Sequence, residues 1–172
     1  RDTLPERLRH NLPDWLAAPL KASLGDAQFW AFVDAVSRPA PLDLRVNTLK
    51  TRRDAALESL AASGIVAEPT PHSPLGLRVQ GKPSINKADA FVRGEVEVQD
   101  EGSQLLGYLL APRRGEMAAD FCAGAGGKTL LLGALMRSTG RLYAFDVSDK
   151  RLARLKDRVA RSGLSNVHPV VI

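Results

Sequence analysis

Apolar residues recur along this chain with two different periods, and the switches between them mark its segments. Trp15, Leu16, Leu20 and Leu24 follow helical spacing behind Pro13 and Asp14, and the Asp14 carboxylate is expected to cap that helix. Gly25 and Asp26 stop it and open a second helix carrying Phe29, Trp30, Phe32, Val33 and Val36. Aromatics at this spacing can stack on bases, but packing against one another is the expected use. Pro39 and Pro41 break the helical pattern. From Leu42 the period becomes two: Leu42, Leu44 and Val46 alternate with Asp43, Arg45 and Asn47, which predicts a half-exposed strand. Thr51 is placed to cap a helix through Leu57 and Leu60 that Gly64 ends. Residues 65–67 and 75–79 read as short strands around a Pro/Ser/His loop.

Further on, the pattern becomes regular. A segment beginning at Val96 leads into a helical run at residues 104–110, and Arg113, Arg114 and Gly115 make a turn. Residues 117–121 predict a strand, 130–136 a helix and 141–146 a second strand. A helix from Asp149 carries Leu152, Leu155 and Val159 to Gly163, and Val167 opens a third strand. Strands alternating with helices imply an α/β fold with a parallel sheet and right-handed crossovers. The chain then divides into a helical lead at residues 1–40, a small α/β module at 41–95 and the parallel α/β segment at 96–172.

The chemistry concentrates where the first parallel strand meets its helix. Cys122, Ala123, Gly124, Ala125, Gly126, Gly127 and Lys128 form a glycine-rich turn there, the layout that lets backbone N–H groups approach a cofactor. The next strand ends at Asp146, where one carboxylate can accept hydrogen bonds from both hydroxyls of a ribose. A glycine turn followed by an acid at this distance points to a nucleoside cofactor. Gly127, Lys128 and Thr129 fit the end of a phosphate-binding loop, but Cys122 occupies the place of its first glycine. The dinucleotide fingerprint fits only in part, because Thr129 replaces its last glycine. A turn that merely tightens a strand-helix corner is the plainest alternative.

Composition narrows the picture modestly. A net charge of +5 over 172 residues favours a polyanionic partner without naming one. Arg45, Lys50, Arg52 and Arg53 form one basic cluster that could meet RNA, and Lys150, Arg154, Arg158 and Arg161 align as a stripe on one helix, where a solvated outer face is the expected role and a phosphate track the alternative. A single cysteine and three scattered histidines offer no metal-ligand spacing, so no metal is expected. The absence of a long apolar run or signal-like start makes a cytoplasmic protein without a membrane partner the expectation.

The string from Asp120 to Thr129 closely resembles the cofactor loop of the RNA cytosine-C5 methyltransferases of the Sun/Nop2 family, RsmB-like members included. Residues 41–50 are similar to the start of that family's small RNA-binding-like module, and residues 98–104 to the lead into its methyltransferase fold. Asp146 and the following Lys150-Arg151-Leu152 also match its pattern. The resemblance implies the N-terminal half of a Rossmann-like class I methyltransferase sheet, with S-adenosyl-L-methionine as cofactor. It implies that residues 122–128 wrap the methionine end, that Asp146 holds the ribose and that Arg151 stands at the rim. It implies RNA, ribosomal RNA first, as the partner. Chemistry at C5 of cytosine needs a thiolate attacking C6, and the family's Pro-Cys and Thr-Cys motifs are absent here. No catalytic residue is therefore assigned: the nucleophile is expected beyond Ile172, this chain alone is expected to be inactive, and Cys122 is expected to be a small residue packed beside the cofactor. A methyltransferase acting on tRNA, or a non-catalytic RNA-binding protein with a vestigial pocket, are the competing readings.

Overall fold

A computed structural model describes residues 3–172. The chain forms two compact units, one up to Ala40 and one from Pro41 to Ile172.

The first unit is helical. It contains α1 (Glu6–His10), α2 (Asp14–Leu24) and α3 (Asp26–Ser37), with Gly25 at φ 75° making the corner between the last two. Ala17, Phe29 and Val33 are buried together, with Leu12, Leu20, Trp30 and Phe32 packed around them. The aromatics of α3 thus serve a core, as expected. Asp14 does not cap α2. It is the first helical residue, and Pro13 stands at the cap position with no side chain to offer. Trp15, expected on the apolar face, is 76% exposed.

The second unit carries two sheets. The first is antiparallel, in the order β2-β3-β1-β4, from β1 (Leu42–Val46), β2 (Ala67–Pro69), β3 (Gly76–Val79) and β4 (Val96–Val98). On one face α4 (Arg53–Ala62) and α5 (Asp89–Val92) close a core of Leu44, Val46, Ala56, Leu60, Leu77 and Val96. Three expectations shift here. Arg52, not Thr51, precedes α4, and it makes no side-chain cap. The second strand lies two residues later than expected. Val96–Val98, read as a lead toward the next segment, instead pairs with β1, Leu44 opposite Val98 and Val46 opposite Val96.

The second sheet is parallel, in the order β5-β6-β7, from β5 (Met117–Asp120), β6 (Arg141–Asp146) and β7 (Val167–Val171). The crossovers run through α7 (Gly127–Leu135) and α8 (Asp149–Ser162), and α6 (Glu101–Leu110) precedes β5. Leu130, Ala144, Leu152 and Leu155 form the core beneath α7 and α8. This is the parallel α/β arrangement the alternation predicts, and its strands deliver Asp120 and Asp146 to their carboxyl ends, where such sheets bind ligands.

The polar side of β1 departs most from its pattern. Asp43, Arg45 and Asn47 alternate with apolar residues, yet all three are buried. They bond to what lies on that face. Asp43 accepts two bonds from Arg78, at 2.9 and 3.0 Å, and one from the Glu101 N–H. Asn47 Nδ2 donates to the carbonyls of Gly94 and Ser162, both at 2.9 Å. Gln104, wholly buried on α6, donates to the carbonyls of Leu44 and Gln99. A strand with a polar alternate face normally meets water on that side. This one meets α6 and the end of α8, so the antiparallel sheet is fastened to the elements that hold the glycine turn.

Candidate cofactor site

Sequence and local geometry agree closely at the glycine turn. β5 ends at Asp120, and residues 121–126 turn into α7, which starts at Gly127. The Ala123 N–H donates to the Phe145 carbonyl at 2.9 Å, which ties the turn to β6. Gly124 at φ 56° and Gly126 at φ 91° hold left-handed conformations that L side chains avoid. A Cβ on Gly126 would also run into Leu155 Cδ1, whereas nothing lies within 4 Å of one on Gly124. Gly126 therefore lets the turn pack on α8, and Gly124 leaves its outer face open. Replacing Gly126 with alanine is expected to cost roughly 1–3 kcal/mol through strain and overpacking. Urea denaturation checks it, and Gly64→Ala, with a similar φ of 73° but open space around it, isolates the backbone share.

Asp146 meets this turn. Its Oδ2 accepts the Gly124 N–H at 2.8 Å and its Oδ1 accepts the Ser148 N–H at 2.8 Å. Arg151 stands 3.8 Å from Oδ1 with its side chain 63% exposed, at the rim of the site. The Ser148 N–H, more than any other group, holds the Asp146 carboxyl below its usual range; the Gly124 N–H and Arg151 add to this, and desolvation opposes it. Each oxygen uses one lone pair on the backbone, which leaves one on each for a ligand donor. That is the arrangement a pair of vicinal hydroxyls requires.

The first turn of α7 completes the set. Gly126 offers no side-chain cap, so the leading N–H groups of the helix remain available to an anionic group. Lys128 is exposed on this turn and close enough to lower the Asp100 carboxyl, below the larger effects of the Ser103 hydroxyl and N–H. Thr129 answers the question left by the phosphate-loop near-match. In such loops that hydroxyl binds Mg²⁺. Here it is fully buried and donates to Asp120 Oδ2 at 2.7 Å. Among the described residues no group of three or more His, Cys, Asp or Glu is arranged to hold a metal ion. The structure thus brings residues 122–128, Asp146 and Arg151 together, and the donor set suits a ribose and a carboxylate.

Two models of one methyltransferase family cover most of the chain. The RsmF/B-like ferredoxin-like domain matches residues 12–86, and the 16S rRNA methyltransferase RsmB/F domain matches residues 107–171. The chain belongs to the RsmB/RsmF-like ribosomal RNA cytosine-C5 methyltransferase family. The ribosomal RNA small subunit methyltransferase B of Sodalis glossinidius is 35% identical over 163 residues, 95% of this chain and 37% of that protein. The crystal structure of PH0851 superposes with a TM-score of 0.89 at 34% identity, over 96% of this chain and 38% of that one. A methyltransferase homolog from Pyrococcus horikoshii gives a TM-score of 0.75 at 29% identity, over 92% of this chain and 56% of that one. The chain thus spans little more than a third of the length of the curated relative. The RsmB/RsmF-like fold agrees with the architecture expected from sequence.

Several side chains in this RsmB/RsmF-like unit do other work than their pattern implied. Cys122 is exposed on the turn. Arg45, expected in an RNA-facing cluster, is 1% exposed, and its Nε donates to Gln99 Oε1 at 2.6 Å. Burial pushes its guanidinium pKa down to about 10, against the upward pull of Glu97 and Tyr108. Arg158 and Arg161, expected on a solvated basic stripe, instead converge on Glu97 of β4. Arg158 Nη2 lies 2.8 Å from Glu97 Oε2, and its Nη1 donates to the Ala125 carbonyl in the glycine turn at 2.7 Å. Lys150 and Arg154 remain exposed. Sequence reading missed Glu97 altogether. The available signal was a lone acid between Val96 and Val98, opposite Arg45 across the strand pair.

Proposed function

We propose that this chain is the cofactor-binding part of an S-adenosylmethionine-dependent enzyme that methylates C5 of cytosine in ribosomal RNA. The observation that carries the reading is the Asp146 carboxylate, fixed by two backbone N–H groups beside a left-handed glycine turn that leaves its outer face open. S-adenosylmethionine would supply a methyl group on a positively charged sulfur. Asp146 would hold the ribose hydroxyls, residues 122–128 would follow the chain from ribose to methionine, and Arg151 would cover the rim. The uncapped turn of α7 and Lys128 would meet the methionine carboxylate. The buried Thr129 hydroxyl, engaged by Asp120, argues against a nucleoside triphosphate with Mg²⁺ in this turn. The RsmB/F relationship supports ribosomal RNA as the substrate.

Cys122 is assigned no nucleophilic role, because it lies in the cofactor turn and not in a Pro-Cys or Thr-Cys motif. Cys122→Ser in the full-length gene product is expected to retain measurable methyl transfer. Complete loss with cofactor binding intact would make Cys122 the attacking thiol. The reading as a whole is tested by transfer of labelled methyl groups to small-subunit ribosomal RNA, followed by mapping of the product. 5-methylcytidine is expected; methylation of tRNA alone would move the substrate, and RNA binding without any transfer would favour the non-catalytic reading.

A further inference from the structure

Gln99 follows β4 and directly precedes Asp100, whose carboxylate caps α6. It is 6% exposed. Its Oε1 accepts the Arg45 Nε–H at 2.6 Å. A guanidinium only donates, so this bond settles which way round the amide sits. The Nε2 end is left with two donors, buried and without a partner. Such a group carries a desolvation cost that an acceptor would relieve. Nε2 lies 4.0 Å from where a Cβ on Gly127 would stand. Gln99 also lines, with Asp100, Ser103, Gly127 and Lys128, a cleft of about 350 Å³.

We propose that Gln99 Nε2 is a binding group for the carboxylate of the cofactor's methionine end, shared with Lys128 and the first N–H groups of α7. The inference rests on the cofactor reading above. A carboxylate only accepts, and an orphaned amide donor, an ammonium and a helix N-terminus stand around this cleft. The two ends of the glycine turn then serve the two ends of one ligand: Gly124 bonds the ribose acid, and Gly127 faces Gln99. Arg45 becomes a positioning residue, buried to orient the amide.

Two ligands separate this role from a structural one. S-adenosylhomocysteine carries the amino-acid end, and 5′-methylthioadenosine lacks it but keeps the adenosine. Calorimetry on the full-length gene product would compare the parent with Gln99→Glu, which keeps an acceptor for Arg45 and replaces the donor with a negative charge that repels the ligand's carboxylate. S-adenosylhomocysteine is expected to bind about tenfold or more weaker, and 5′-methylthioadenosine within about twofold of the parent. Gln99→Met, of similar length with neither donor nor charge, is expected to show the same split between the two ligands, which separates loss of the donor from charge repulsion. Unchanged affinity for both ligands, or equal loss of both in a variant that melts like the parent, would overturn the proposal and leave the cofactor reading standing. A parent protein that binds neither ligand would overturn both.

Discussion

Glu97→Ala is expected to destabilise the fold by about 3–5 kcal/mol, the cost of removing one partner from a buried ion cluster. The Glu97 side chain is 3% exposed and receives Arg158 and Arg161, whose side chains are 22% and 24% exposed. Arg45 lies across the strand pair, wholly buried, and Glu97 helps keep it charged. Removing the carboxylate takes from Arg45, Arg158 and Arg161 the counter-charge that they share. It also frees Arg158 to leave the Ala125 carbonyl, so the glycine turn loses its outer support. A weaker affinity for S-adenosylhomocysteine should accompany the lost stability. Asp89→Ala provides the contrast: Asp89 sits 3.7 Å from Arg93 with its side chain 77% exposed, and such a pair contributes less than about 1 kcal/mol. Urea denaturation measures both. A loss for Glu97→Ala no larger than that for Asp89→Ala would show that the cluster does not hold the sheet to α8.

The second large effect falls on ligand binding. Asp146→Ala is expected to raise the dissociation constant for S-adenosylhomocysteine about 30-fold or more, because the two charge-assisted bonds proposed to the ribose would be lost. The change also strips acceptors from the Gly124 and Ser148 N–H groups, which loosens the turn itself. The pH dependence has a definite sign. The carboxyl is held below its ordinary value of 3.8, so its contribution is present above that value and is lost only as pH falls through the lowered one. Affinity owed to Asp146 should therefore stay level between about pH 5 and pH 8. A decline in that window that vanishes in Asp146→Ala would mean the acid titrates where the geometry says it cannot.

The parallel sheet, its helices and the glycine turn were legible in the sequence because each follows a local rule. Apolar runs, a left-handed glycine and a helix start lie within a few residues of one another, as from Met117 to Leu135. β6 is legible to the residue, since the apolar run from Leu142 to Phe145 starts behind Arg141 and ends on its acid. The polar face of β1 was not legible. Asp43, Arg45 and Asn47 have the alternation of a wetted strand, and only α6 and α8, distant in sequence, turn that face inward. Arg45, Arg158 and Arg161 were placed at the surface for the same reason, whereas Lys50, Arg52, Lys150 and Arg154 are exposed as expected. A charge pattern does not reveal whether a carboxylate such as Glu97, 61 residues from Arg158, comes to meet it. Gln99 and Glu97 were invisible as site residues because their importance lies in partners: a buried donor left over, and a carboxylate shared by two arginines.

The turn between β5 and α7 is expected to bind a sulfonium nucleoside and not a nucleoside triphosphate. Titration calorimetry of the full-length gene product with S-adenosylhomocysteine and, separately, with ATP and Mg²⁺ tests it most directly. Saturable binding of S-adenosylhomocysteine that Asp146→Ala weakens, with no heat from ATP and Mg²⁺, is the predicted result. Binding of ATP and Mg²⁺ that Lys128→Ala abolishes, with no response to S-adenosylhomocysteine, would contradict it.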